Sequence, residues 1–193
     1  MTYSPLELAN AFIQTGELSD ALAALDDHLT QAPQDEQALR LRAAVRLRLG
    51  DETNLRAAID DLQRLASPSV EDYQQISIIF ERLQEIPAAI DALHQALALS
   101  PQDARLAERL VMLYCQQQDW QSARDVVAKM PHSWRWQQWA GDLAVNAGDF
   151  PAAAEHYEQA LALLEQQQLA PDYHAAMAAR LWLALGHVYR QLA

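Results

Sequence analysis

Four segments of this chain share one spacing: TGELSDALAAL, LQEIPAAIDAL, QQDWQSARDVV and AGDFPAAAEHY. Each passes from a turn to a large apolar residue (Leu18, Ile86, Trp120, Phe150) and reaches an alanine three residues later (Ala21, Ala89, Ala123, Ala153). Four residues further on, Leu25, Leu93, Val127 and Tyr157 fall on the same helical face. Ala21 and Ala89 stand 68 residues apart, and Ala89 and Ala123 stand 34 apart. Pro33 and Pro101, which stop helices, are again 68 apart. A period of this length demands stacked copies of one helical unit.

A second pattern precedes those turns. In LWLALGHVY, residues Trp182, Leu185, Gly186 and Tyr189 follow the spacing W-x2-L-G-x2-Y. Tyr73, Ile76, Ser77 and Phe80 repeat it, as do Ala107, Leu110, Val111 and Tyr114. A small residue in the glycine slot lets a partner helix approach closely. These features resemble the tetratricopeptide repeat (TPR) family, a helix–turn–helix unit of about 34 residues, over nearly the whole chain. All five glycines fit that family: Gly16, Gly50 and Gly148 end first helices, and Gly141 and Gly186 take the close-packing slot. The prolines interrupt no helix, with Pro5, Pro87 and Pro151 near helix starts. Ser4 and Glu7 form a capping-box pattern.

The resemblance implies an all-α, right-handed α-solenoid of stacked antiparallel helix pairs, with about five repeats and an unpaired C-terminal helix, forming one domain over 1–193. Eleven helices are predicted, at 4–15, 18–31, 35–49, 52–66, 70–84, 87–99, 103–117, 120–130, 133–147, 150–168 and 172–192. Two repeats depart from the pattern. Near 35–67, Leu55 stands in the alanine slot, the face fits better from Ala58, and the first helix interleaves Arg40, Arg42, Arg46 and Arg48 with apolar residues, so distortion is expected. Near 103–132, the step from Ala123 to Ala153 is 30 residues, four short, close to one helical turn. The stretch PHSWRWQQW then reads as a plug for the volume a shortened helix leaves. Trp136 and Trp139, about 60° apart on the wheel, are expected to pack together, and Trp134 to be partly exposed.

Composition narrows the function. The formal charge is −12, from 26 acidic and 14 basic residues, and Lys129 is the single lysine. A field of that sign disfavours nucleic acid and anionic membrane surfaces as partners. The N-terminal MTYSPLELANAF carries no basic start followed by an apolar run, and no apolar run reaches the roughly 18 residues of a membrane span. One cysteine, Cys115, is compatible with a reducing cytoplasm and reads as a small inner-face thiol. The six histidines (28, 94, 132, 156, 174 and 187) show no i, i+4 metal pair, and phosphate-loop, dinucleotide and nucleophile-elbow motifs are absent. No catalytic residues, metal site or cofactor are expected.

By resemblance to the family, the first helices line a concave wall. Its inward positions are Tyr3, Leu6, Asn10 and Ile13, then Glu71, Gln74, Ile78 and Glu81, then Arg105, Glu108, Met112 and Cys115. Arg135, Gln138, Asp142 and Val145 follow, and last Arg180, Leu183, His187 and Arg190. Asn10, Gln74, Arg105, Met112, Arg135, Gln138, Arg180 and His187 are the candidate partner-binding residues. Arg105, Arg135 and Arg180 hold equivalent places in successive units and suit a carboxylate-bearing peptide; the alternative is local pairing, as of Arg105 with Glu108. The family's basic clamp for terminal carboxylates is poorly matched, since Leu6 stands where a lysine is needed.

The last helix is apolar around most of its circumference, and Leu181, Trp182, Leu185, Val188 and Tyr189 form a candidate association face. Either a further helix follows Ala193 in a longer protein, or that face is buried in a homo-oligomer. The reading is a cytoplasmic scaffold or adaptor that binds a protein or peptide on its concave wall. The alternative is a regulatory module of a longer signalling or transcription-regulating protein.

Overall fold

The computed structural model describes residues 4–193, which form eleven α-helices and no strand. They are α1 (Pro5–Thr15), α2 (Leu18–Gln31), α3 (Glu36–Leu49), α4 (Glu52–Gln63), α5 (Val70–Arg82) and α6 (Ile86–Leu99). There follow α7 (Ala104–Gln116), α8 (Trp120–Ala128), α9 (Trp134–Asn146), α10 (Phe150–Glu165) and α11 (Pro171–Leu192). The chain forms two compact units, Met1–Pro101 with α1–α6 and Gln102–Ala193 with α7–α11. Within each unit every helix packs on the next in chain order, the arrangement of a TPR-like α-solenoid.

Local chemistry sets the helix ends. Ser4 and Glu7 close the expected capping box at α1. Side-chain oxygens of Asp35, Asp51, Ser69, Asp103, Asp119, Ser133 and Asp149 accept orphan N–H groups at seven later starts. Gly16 and Gly50 leave α1 and α3 in the left-handed region. At the ends of α5 and α7 that conformation falls on Gln84 (φ 60°) and Gln118 (φ 58°), which bear a cost of about 1 kcal/mol that glycine avoids.

The repeating alanines are the inner contacts of the stack. Ala21, Ala89, Ala123 and Ala153 are wholly buried, and Leu25, Leu93, Val127 and Tyr157 are buried one turn later. In the second pair both Leu55 and Ala58 are buried, so α4 fits its neighbours through either residue.

The arginine-rich α3 is an unbroken helix, and its irregularity lies in what joins it to its neighbours. Arg42 grips the buried Asp61 of α4 through Nε and Nη2 and reaches Asp26 of α2 at 2.6 Å. Arg46 adds a 2.6 Å bond to Asp61 and a 3.0 Å bond to the Ala57 carbonyl. Arg40 spans to Asp72 at the start of α5, Arg64 to the Pro33 carbonyl and Arg82 to the Leu47 carbonyl. Guanidinium groups thus complete an interface that hydrocarbon fills elsewhere. The long apolar stems of Arg42 and Arg46 are largely covered while their heads find carboxylates.

Two readings of individual residues need correction. Trp134 is 8% exposed, not partly open: it packs into the α10–α11 core with Tyr157, Leu161, Leu181 and Leu185. The half-buried indole of the cluster is Trp139. Gly141 does permit close packing, since a Cβ there would stand 2.6 Å from the Tyr157 ring. Gly186, in the corresponding slot of α11, meets nothing within 4 Å, because no helix covers that side of α11.

Candidate partner-binding face

Helices α7, α9 and α11 are the first helices of successive pairs in the second unit, and their side chains converge on one cleft of about 290 Å³. On α9, Arg135, Gln138, Trp139 and Asp142 follow the i, i+3, i+4, i+7 spacing of one face and line it. Glu108 and Met112 enter from α7, and Tyr173, Met177 and Arg180 from α11.

Arg135 is held by two aromatic partners. Its guanidinium carbon lies 5.5 Å from the Trp134 ring centroid, and Nη2 donates to the Tyr173 hydroxyl at 3.1 Å. The Tyr173 bond is the main influence holding Arg135 in its charged form. Arg180, by contrast, has no hydrogen bond or ion pair among the described residues, and it is exposed.

Asp142 forms the cleft's polar floor. Burial pushes its carboxyl above the usual carboxylate range, while the Tyr157 hydroxyl, donating at 2.6 Å, and the charge of Arg180 pull it back. Burial, and then the same bond, raise the Tyr157 phenol. Beyond Arg180 a second depression of about 480 Å³ continues past Val145, Leu183, His187 and Arg190. The surface therefore offers a line of cations, Arg135, Arg180 and Arg190, set among apolar and aromatic side chains and interrupted by Asp142.

Of the residues anticipated from sequence, Met112, Arg135, Gln138 and Arg180 meet in the first cleft, and His187 borders the second. Arg105 is exposed and lines neither; no ion pair joins it to Glu108 among the described residues. Asn10 and Gln74 belong to the other unit, where the Asn10 amide donates back to the Leu6 carbonyl. Tyr3 lies outside the described residues. Cys115 is half-buried, and burial with the nearby Asp142 charge raises its thiol, which disfavours the thiolate.

The association face of α11 is corrected. Leu181, Leu185 and Val188 are buried, at 1%, 2% and 0% exposure, in the core with α10 and are not open to a partner. Trp182 and Tyr189 are exposed on the stripe that carries Gly186, and Tyr189 donates its hydroxyl to Glu158 of α10. Leu181 follows directly on Arg180 but faces the interior, and a wheel drawn for a helix with an unknown neighbour does not separate those two stripes.

Sequence reasoning missed Tyr173 and Trp139 as site residues. Trp139 had a usable signal, since it stands four residues after the inward Arg135. Tyr173 lies 38 residues from Arg135 at the start of α11, and only the packing of α11 beside α9 brings it near.

Family models described as tetratricopeptide repeat match residues 6–69 and 83–133, together more than half of the chain. No curated protein matches the sequence. Among solved structures, a crystal structure of the MamA protein aligns with a TM-score of 0.64 and 23% identity, covering 86% of this chain and 94% of that one. MamA residues 41-end from Desulfovibrio magneticus RS-1 aligns with a TM-score of 0.59 and 18% identity, covering 86% and 96%. YrrB, titled a TPR protein with an unusual peptide-binding site, gives a TM-score of 0.60 at 17% identity, covering 91% and 90%. At these identities the likeness is one of fold.

Proposed function

The chain belongs to the tetratricopeptide repeat family, and on that premise we propose that it is an adaptor that captures a segment of a partner protein on the α7–α9–α11 face. A protein–protein interaction module is what the fold and its relatives support. The observation that carries the finer reading is the convergence of Trp139, Met112 and Met177 in one cleft with the exposed Arg180, which makes no hydrogen bond or ion pair among the described residues. Aromatic and methionine side chains supply adaptable apolar contact, and an exposed guanidinium with its hydrogen-bond donors unused favours a carboxylate on the incoming chain. That YrrB is a peptide-binding TPR protein supports the same reading. The favoured partner segment is extended, bears an acidic residue and places an apolar side chain beside it.

The reading includes a soluble, non-enzymatic role in the cytoplasm; among the described residues no helix is long and apolar enough to cross a membrane. The test is a pull-down with the whole chain and mass-spectrometric identification of what is captured. Arg180→Glu and Trp139→Ala are each expected to lose the partner that the parent retains, while Lys129→Glu, the same charge change on an exposed residue away from the cleft, keeps it. Equal capture by all four proteins removes the α7–α9–α11 face from consideration.

A second reading rests on α11. Its stripe of Trp182, Gly186 and Tyr189 is exposed and apolar, and Gly186 has open space where Gly141 is covered by Tyr157. A second copy of this chain supplies a suitable cover, because an antiparallel α11 sets the indole of one copy over the glycine of the other.

A further inference from the structure

The shortened helix leaves a cavity that the fold does not need and the tryptophans do not fill. Helix α8 has 9 residues where α6 has 14 and α10 has 16. In the space beyond its last turn, between α8, α9 and α10, lies an opening of about 540 Å³, within the range typical of small-molecule sites. Trp136, buried, is its large apolar wall. Val127, Met130, Pro131 and four alanines, Ala128, Ala140, Ala144 and Ala152, complete the apolar lining, and the alanines are too short to reach across it.

The polar groups are few and distinct. Arg124 is half-buried on the lining and makes no hydrogen bond or ion pair among the described residues. That is unlike Arg40, Arg42, Arg46 and Arg56, each held by a carboxylate. Gln137 sits between two imidazoles: its amide oxygen accepts from His156 Nδ1 at 2.8 Å, and its amide nitrogen donates to His132 Nδ1 at 3.1 Å. Because an amide oxygen only accepts and an amide nitrogen only donates, the neutral rings are fixed as opposite tautomers. His132 then carries its proton on Nε2, and His156 has a free lone pair there. The Asp149 carboxylate also lines the opening, but its Oδ1 accepts the Ala152 N–H at the start of α10.

A half-buried arginine that makes no hydrogen bond or ion pair among the described residues, beside an indole and a lining of small and apolar side chains, suits one chemistry. We propose that this cavity binds an amphipathic carboxylate, with an aromatic or branched apolar body against Trp136 and its carboxylate on Arg124. The donor on His132 Nε2 is available to the same anion or to an adjoining polar group. The site lies between the second helix α8 and the α9–α10 pair, and its lining shares no residue with the α7–α9–α11 cleft. It therefore stands or falls independently of the partner-binding reading.

The test is isothermal titration of the whole chain with 3-phenylpropionate and with its neutral analogue, 3-phenylpropanamide. The acid is expected to bind at least about tenfold more tightly than the amide, the loss that follows when a hydrogen bond to a charged group is removed. Arg124→Gln is expected to abolish that preference, and Ala128→Phe, on an exposed lining residue, to block both ligands. Circular dichroism unchanged from the parent shows that each variant is folded. A peptide ending in a free-acid phenylalanine, run beside its amidated twin, distinguishes a chain terminus from a free small acid as the source. Tight binding of either acid with the Arg124 dependence supports the site. Equal affinity for acid and amide, preserved binding in Arg124→Gln, or no heat from either acid overturns it.

Discussion

The ring of Tyr157 occupies the space a side chain at Gly141 would need: a Cβ built there lies 2.6 Å from Cε1 and 2.8 Å from Cδ1. That approach brings α9 and α10 together and lets the Tyr157 hydroxyl reach Asp142. Gly141→Ala is therefore expected to destabilise the second unit by about 1–3 kcal/mol through overpacking. In the monomer, where Gly186 meets nothing within 4 Å, the same change made in the Trp182→Glu background is expected to stabilise by about 0.5–1 kcal/mol, because alanine is the better helix former. Urea unfolding of the two variants, each against its own background, reads the opposite signs. A loss of stability at Gly186 means that something covers it.

Asp61 is buried between Arg42 and Arg46, and Asp26 adds a second carboxylate, 2.6 Å from Arg42 and 3.9 Å from Arg46. Truncating it leaves two cations in a low-dielectric interface, one of which already has a buried Nε without a partner. Asp61→Ala is expected to cost about 3–5 kcal/mol. The triple change Asp61→Leu, Arg42→Met and Arg46→Met should recover most of that loss, since hydrocarbon of similar volume removes the desolvation penalty together with the attraction. Chemical denaturation checks both. A triple variant as unstable as the single one shows that the network contributes more than charge neutralisation.

The fold was legible because its determinants are periodic. Ala21, Ala89, Ala123 and Ala153 recur at a spacing that a stack of helix pairs requires, and all four are buried. What failed were properties set by neighbours that periodicity does not name. The arginines of α3 suggested distortion, but the reason they are tolerated lies in Asp26, Asp61 and Asp72 on three other helices. Trp134 was expected to be partly exposed because it begins α9, yet α10 and α11 close over it. The missing turn of α8 was visible in the 30-residue step, but whether aromatics would fill the space depended on where the indoles point. Trp136 lines the resulting opening without closing it, and Trp139 turns to the opposite cleft. The site residues on α9 followed from helical spacing, and Tyr173 from packing alone.

Asp142 gives the second unit a pH dependence of definite sign. Burial raises its carboxyl in the folded state above the unfolded value near 3.9, so the folded chain holds the proton more tightly. Stability then falls as pH rises through the window between those two values, and above it the ionised group is a net cost. Asp142→Asn keeps an acceptor for the Tyr157 hydroxyl while removing the charge. It is expected to raise the urea midpoint at pH 7, with the difference shrinking as pH falls toward the unfolded value and the parent carboxyl takes up its proton. A variant less stable than the parent at pH 7 shows that Arg180 and Tyr157 stabilise the carboxylate by more than burial penalises it.

The exposed stripe of α11 makes the last prediction one of mass. Trp182 is 60% exposed, stands one turn before Gly186, and shares its face with Tyr189. Within the chain the equivalent slot at Gly141 is filled by an aromatic ring, and a second copy brings such a ring to Gly186. Light scattering is expected to give a mass of twice 21.6 kDa. Trp182→Glu should return the monomer with unchanged helicity, since the residue lies outside the α10–α11 core. Leu181→Glu, by contrast, places a carboxylate in that core and is expected to unfold the second unit. A parent chain that stays monomeric at high concentration removes a second copy as the cover for α11.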